Sequence, residues 1–295
     1  MRIPLSLIAA LALALCLPLV AQAATNVNER HPLGAGGRVE ISNIAGKVTV
    51  RGWDRNDVAL TGSMADGLTL KQDKSSNRVR WEVEYPRGRS NGWATLELRV
   101  PRSVEVQLGT VSADIDVADI DVRRLQANSV SGSITAAGRS GETTLNTVSG
   151  GIRSQLQTAR LDARTVSGQL LAGGGASGEV AAESVSGRVN VNAGRIQRLA
   201  VETVSGSLDV SATGMAPGGK VTMQTVSGSV ALKLPATVSA QLNVKTFSGG
   251  IQSDAGQVEK PRYGPGSSLD ARLGSGDGDI SINSHSGSVR VSLGR

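Results

Sequence analysis

The 295-residue chain carries 31 Lys and Arg against 25 Asp and Glu, a formal net charge of +6, with 37 glycines, one cysteine and only 2% aromatic residues. Acidic residues are mixed among the basic ones throughout, so the surplus forms no concentrated nucleic-acid-binding stripe. A single cysteine excludes a disulfide framework and a thiolate metal site, and so few aromatic residues point to a thin, aliphatic core.

At the start, Arg2 precedes an apolar run over 3–20 that ends in Ala21-Gln22-Ala23. This predicts a signal peptide over 1–23, with a small-residue cleavage site and a mature chain from Ala24. Pro4 and Pro18 interrupt the run and speak against a membrane anchor; Leu15, ahead of Cys16, speaks against lipidation. The mature chain would then have no cysteine and no transmembrane segment, and its expected location is the periplasm or the cell surface.

Residues 24–105 predict a compact β region, with strands at 38–41, 47–50, 58–61, 68–70, 78–83 and 94–100 separated by turn residues. Trp53, Trp81, Trp93 and Tyr85 all fall here. They are expected to form the core of a cap over the first repeat, in preference to a binding patch.

From 106 to 295 the chain is organised by a tetrapeptide, Thr/Ser-Val-Ser-Gly. Its Ser-Gly pairs are Ser131-Gly132, Ser149-Gly150, Ser167-Gly168, Ser186-Gly187, Ser205-Gly206, Ser227-Gly228 and, with Phe for Val, Ser248-Gly249. The serines are 18 to 22 residues apart, a degenerate copy begins at Thr110, and a last copy surrounds His285, two steps of 19 beyond Ser248. A short fixed period means stacked units that cannot bury their apolar faces alone.

Around each motif the residues alternate with period two. Leu161, Ala163 and Thr165, or Leu199, Val201 and Thr203, face inward, while Asp162, Arg164 and Glu202 face water. After the glycine a second strand resumes, as in Val189, Val191 and Ala193. At the corner, glycine is expected to supply a positive φ or tolerate a crowded backbone, and the recurrent serine to bond its own turn. Val204 is expected inside the stack, where aspartate would be strongly destabilising.

The fold class expected is therefore all-β: a parallel β-solenoid (β-helix) of ~18–22-residue rungs with a V-S-G corner, preceded by a smaller β cap. A hairpin meander would use the same strands in antiparallel pairing. Residues 254–268 interrupt the ladder as a loop rich in Gly, Pro and charge, and Lys260, Arg262 and Tyr263 are its candidate binding residues. The last motif should close the stack, its edge blunted by Arg290 and Arg295.

The segment from Glu40 through Gly52-Trp53-Asp54-Arg55 to Val58, followed by the V-S-G repeats, resembles the bacterial "putative adhesin" family of DUF4097 type. The resemblance covers nearly all of the mature chain. It implies an exported, non-enzymatic β-repeat protein of the cell envelope, with some relatives linked to envelope-stress responses, and it brings no catalytic residues.

Catalytic chemistry finds little footing. Every rung has the serine, but only two histidines exist, and His285 has no visible third partner for a triad. Asp277 and Asp279, or Asp114, Asp116, Asp119 and Asp121, would offer oxygens to calcium, yet neither cluster recurs at each turn, so solvated strand faces are expected and no cofactor. The rungs have scattered acids and almost no aromatic platforms, unlike a carbohydrate-active β-helix. The function expected is an adhesin-like scaffold that binds a protein, a glycan or an envelope surface. Two alternatives remain: a periplasmic envelope-stress sensor and a carbohydrate-active enzyme.

Overall fold

The computed structural model describes residues 24–86, 92–262 and 264–294, so the expected signal peptide and Tyr263 lie outside the described residues. The chain is all-β: nineteen strands join in one hydrogen-bonded sheet, with no helix among the described residues.

In the middle the strands stack in parallel. Ile134–Thr147 lies between Asp114–Ser129 and Ile152–Ser167, and Thr147 faces Ser129 on one side and Thr165 on the other, each 18 residues away. Period-two alternation fixes this register, because a slip of one residue would turn the apolar set to water. Ile152, Ser154, Leu156, Leu161, Ala163 and Thr165 are all buried. The core is thin, and large side chains sit beside small ones. Leu125, Leu161 and Val180 share a column whose remaining member is Thr143; beside it Ala127, Ala163 and Ala182 share a column in which Leu145 fills the space Thr143 leaves. Such volume compensation keeps the interior close-packed without aromatic residues.

Crowding explains the corner glycines, and a positive φ adds to it at Gly228 and Gly287 alone among them. A Cβ built on Gly206 would overlap the carbonyl oxygen of Gly187, and one on Gly187 that of Gly168. Neither glycine has positive φ. The glycines stack directly, and any side chain would force adjacent coils apart.

Both ends of the stack depart from chain order. The first parallel pass, Arg38–Asn43 with Gly46–Gly52, does not lie at the end: Arg38–Asn43 is parallel to Arg78–Glu84 and Glu105–Thr110, and Gly46–Gly52 to Ala94–Val100 and Asp114–Ser129. Beyond them, Thr69–Ser75 pairs antiparallel with Arg78–Glu84; Asp57–Met64 does so with Ala94–Val100, and Thr25–Pro32 in turn with Asp57–Met64. Thr25–Pro32 is not anticipated by periodicity, because Val27 is its one buried apolar residue. The outermost Thr69–Ser75 bears Lys71, Asp73 and Lys74, charges that discourage a further strand from pairing.

The far end is built the same way and corrects the expected order. Gly278–Ser286, with the His285 motif, fits between Gly178–Ser227 and Ala240–Ser248, and Val289–Gly294 between Val230–Pro235 and Ile251–Ser253. Ser267–Leu273 runs antiparallel along Ala240–Ser248 and closes that edge. With this edge occupied, the last strands enter the slot one coil further in, so Arg290 blunts no terminal edge.

The aromatic residues divide. Trp81 is fully buried. Trp53 is half-buried, with the guanidinium carbons of Arg55, Arg30 and Arg99 at 5.1, 5.7 and 6.0 Å from its ring. Trp93 is exposed and adds little to the core. Polar contacts join neighbouring strands. Glu105 accepts from Arg123 and Arg38, which hold its carboxyl below the usual range. Burial pushes the Asp116 carboxyl up, but Arg51 and Lys47 bring it below its ordinary value.

Candidate functional site: an apolar ridge and its groove

In each Thr-Val-Ser-Gly corner, simple alternation carries one residue further than expected: the threonine is inside and the valine is out. Thr203 is buried while Val204 is 50% exposed, which overturns the expected inward position of Val204. The corner explains the choice. In the tight corners the inward hydroxyl accepts from the glycine amide three residues on, Gly132 N to Ser129 Oγ at 2.9 Å and Gly150 N to Thr147 Oγ1 at 3.2 Å. The recurrent serine, expected to bond its turn, instead points to solvent as Ser131, Ser149, Ser167 and their equivalents.

Stacking then aligns the outward valines into a continuous ridge. Backbone hydrogen bonds at the corner link Ser112 to Ile44, Ser131 to Val111, Val148 to Val130 and Ser167 to Val148. The ridge continues through Val185, Val204 and Val226 to His285, whose ring stacks on Phe247 with centroids 4.9 Å apart and planes 4° from parallel. Its apolar members range from 42% exposed at Ile44 to 53% at Phe247. So long an exposed apolar row is unlike the scattered single hydrophobics of an ordinary surface.

A groove of about 1080 Å³ runs beside the ridge. Val166, Val185, Val204, Val226 and Phe247 form one wall; Arg164, Glu183, Glu202, Gln224, Asn283 and Lys245 form the other. Pro265 and Gly266 close one end. A smaller hollow of about 330 Å³ continues along Ile44, Val111 and Val130. Arg164 reaches Asp162 at 3.0 Å and Glu183 at 3.4 Å, and Asn146 Nδ2 donates to Asn128 Oδ1 at 2.9 Å, so the polar wall is tied coil to coil.

Along the floor the inward hydroxyls change state where the groove opens. Thr165 Oγ1 still donates to Gly150 O at 3.3 Å, but the buried hydroxyls of Ser184, Thr203, Thr225, Thr246 and Ser284 have no hydrogen-bond partner. The corners there run on as extended strand, which takes the glycine amide away from the hydroxyl.

Chemically the groove is suited to contact. Glu183 and Glu202 stand on the same wall one coil apart, whereas glycoside cleavage places its carboxylates on either side of the scissile bond. His285 is committed to Phe247 by stacking. Among the described residues no group of three or more His, Cys, Asp or Glu could hold a metal, and no helix is long and apolar enough to cross a membrane.

The sequence-predicted residues fall around one end of this surface. Lys260 and Arg262 are exposed in the loop between Ile251–Ser253 and Ser267–Leu273. Lys260 lines a hollow of about 390 Å³ with Lys245, Thr246 and Gly266, three residues that also border the main groove. Asp277 accepts from Ser275 Oγ at 2.5 Å and Ser239 Oγ at 3.1 Å; the two hydroxyls hold its carboxyl below the usual range and fasten the 274–278 turn to the neighbouring coil. The glycines of the repeat build the corner, and its serines form the exposed column beside the ridge. The ridge itself escaped sequence reasoning. Its available signal was a valine at every corner, directly after an inward threonine and a polar outward residue.

The structure is similar to several solved proteins at low identity. A "putative adhesin" from Bacteroides fragilis NCTC 9343 is 8% identical with a TM-score of 0.39, covering 92% of this chain and 99% of that one. A "putative lipid binding protein" from Parabacteroides distasonis ATCC 8503 is 10% identical with a TM-score of 0.42, covering 90% and 96%. A "putative adhesin" from Parabacteroides merdae ATCC 43184 is 10% identical with a TM-score of 0.38, covering 90% and 95%. Likenesses this distant carry no weight on function. No curated protein matches the sequence. The profile of the Toastrack DUF4097 family matches residues 38–292, nearly all of the coil and both of its threaded ends, and the chain belongs to that family.

Proposed function

We propose that the chain is an exported, non-enzymatic binding scaffold of the bacterial cell envelope, and that the ridge with its groove is its contact face. In this reading the parallel stack is a β-solenoid of ~18–22-residue rungs over 106–295, and residues 24–105 are its cap. The observation that carries the proposal is the unbroken exposed row from Ile44 to Phe247, flanked by a groove with a mixed polar wall. Exposed apolar surface of this extent is retained where something covers it. The loop bearing Lys260 and Arg262 extends that face at one end.

The test has two parts. Cell fractionation with protease shaving of intact cells should recover the native protein in the periplasm or at the surface; recovery in the cytosol would overturn the envelope assignment. Purified chain should bind isolated envelopes, and Glu202→Arg with Gln224→Arg should weaken that binding at least about tenfold by altering the groove wall. Lys233→Glu, exposed on Val230–Pro235 and outside the groove lining, should leave it unchanged. Equal loss from both variants would remove the groove from the function.

A further inference from the structure

We infer that the ridge packs against the ridge of a second copy of this chain, the two stacks running antiparallel about a two-fold axis between Val166 and Val185. This rests on the ridge being the contact face proposed above and names its partner.

Three observations point to a second copy. The first is periodicity. Ridge residues recur once per coil, at the ~4.8 Å spacing of neighbouring strands. A helix lying along the ridge would repeat every ~5.4 Å and drift by about one whole coil over the nine steps from Ile44 to Phe247. Another β stack stays in step throughout. The second is area. Nine steps give a strip about 43 Å long, and four corner residues at ~3.3 Å each make it about 13 Å wide, so two copies would bury about 1,100 Å². That clears the ~1,000 Å² expected of a specific interface.

The third is charge complementarity, which selects the orientation. When all ten corners overlap antiparallel, the polar walls of the two copies face each other. Arg164 then meets Glu183 of the second copy, Asn146 meets its Glu202, and Asn128 meets its Gln224, each pairing occurring twice by symmetry. These three oppositions are charge-paired or able to hydrogen-bond; further out Ser42 meets Lys245, and Gly109 sets no side chain against Asn283. Each groove, open to solvent between its two walls, is covered by the other copy, and the same patch serves on both sides, as an isologous two-fold contact requires. At the ends Ile44 meets Phe247.

The experiment uses the full chain with Cys16→Ser, which removes its one natural cysteine. Val148→Cys and Val204→Cys chains are made separately, then mixed under mild oxidation. The antiparallel arrangement brings Val148 of one copy to Val204 of the other, so the mixture should give a disulfide-linked dimer and neither chain alone should. Self-crosslinking of each single variant would mean a parallel pair and overturn the arrangement; no crosslinking in any sample would overturn the dimer. Sedimentation velocity should show a dimer for the parent, with Val166→Asp plus Val185→Asp weakening association at least about tenfold. A parent that sediments as a monomer overturns the inference, while envelope binding that persists in such a monomer leaves the proposed function standing.

Discussion

The middle of the molecule and its two ends solve the same problem differently. Through the middle the chain coils continuously, each pass resting on the one before, and equivalent residues meet 18 or 19 apart. At the ends the chain leaves that order. One coil, at 38–52 near the start and at 278–294 near the finish, is threaded between two others, and antiparallel strands cover the outer edge. In the middle, stability is repeated and local. At the ends it depends on contacts distant in sequence, which close the backbone ladders that an open stack would offer to another chain. Capping both ends leaves the lateral ridge as the long unpartnered surface.

Breaking the threaded coil should have the largest effect. A chain ending at residue 277 loses Gly278–Ser286 and Val289–Gly294, and with them the pairing that holds Ala240–Ser248 in place. Urea unfolding should show that far end lost as a block, with a clearly lower slope with denaturant. A loss confined to a single coil would mean the neighbours can re-pair across the gap. Next, Trp81→Ala should cost about 3–5 kcal/mol, because the indole is wholly buried among strands that no repeat can replace. Calorimetry of the variant checks it.

In the middle, Gly206→Ala should cost about 1–3 kcal/mol by pushing a methyl group into the Gly187 carbonyl, and Gly187→Ala about the same, because the environment repeats. Unequal costs at these two positions would show that the coils are less equivalent than their register implies. The smallest effect depends on pH. Glu105 has its carboxyl lowered in the folded chain, first by Arg123 and then by Arg38, so its contribution is full above the unfolded carboxylate value and lost as pH falls through the folded one. Glu105→Gln should therefore unfold at lower temperature than the parent near neutrality, and the two should converge in acid. A gap that stays constant with pH would place the effect outside titration.

Much of the architecture is legible in the residues. Period two separates Leu161, Ala163 and Thr165 from Asp162 and Arg164, and the serine spacing gives the coil. Two features are not legible, for different reasons. The place of the His285 coil is hidden because spacing reports distance along the chain, while the antiparallel Ser267–Leu273 decides which slot remains open. The ridge is hidden because valine in a β protein ordinarily signals interior. Here the inward place at the corner goes to Thr203 and its equivalents. The candidate loop at Lys260 and Arg262 was visible from Gly, Pro and charge, but its position at the end of the groove depends on the stacking.

The most direct test of the exposed ridge is to compare Val201→Asp with Val204→Asp by urea unfolding, at a concentration low enough to keep the chain monomeric. The two valines are three residues apart; Val201 is fully buried and Val204 is half exposed. Val201→Asp should be severely destabilised, because it places a carboxylate in the core. Val204→Asp should stay within about 0.5 kcal/mol of the parent, as a surface substitution does. Comparable loss in both variants would put Val204 inside the stack and contradict the ridge.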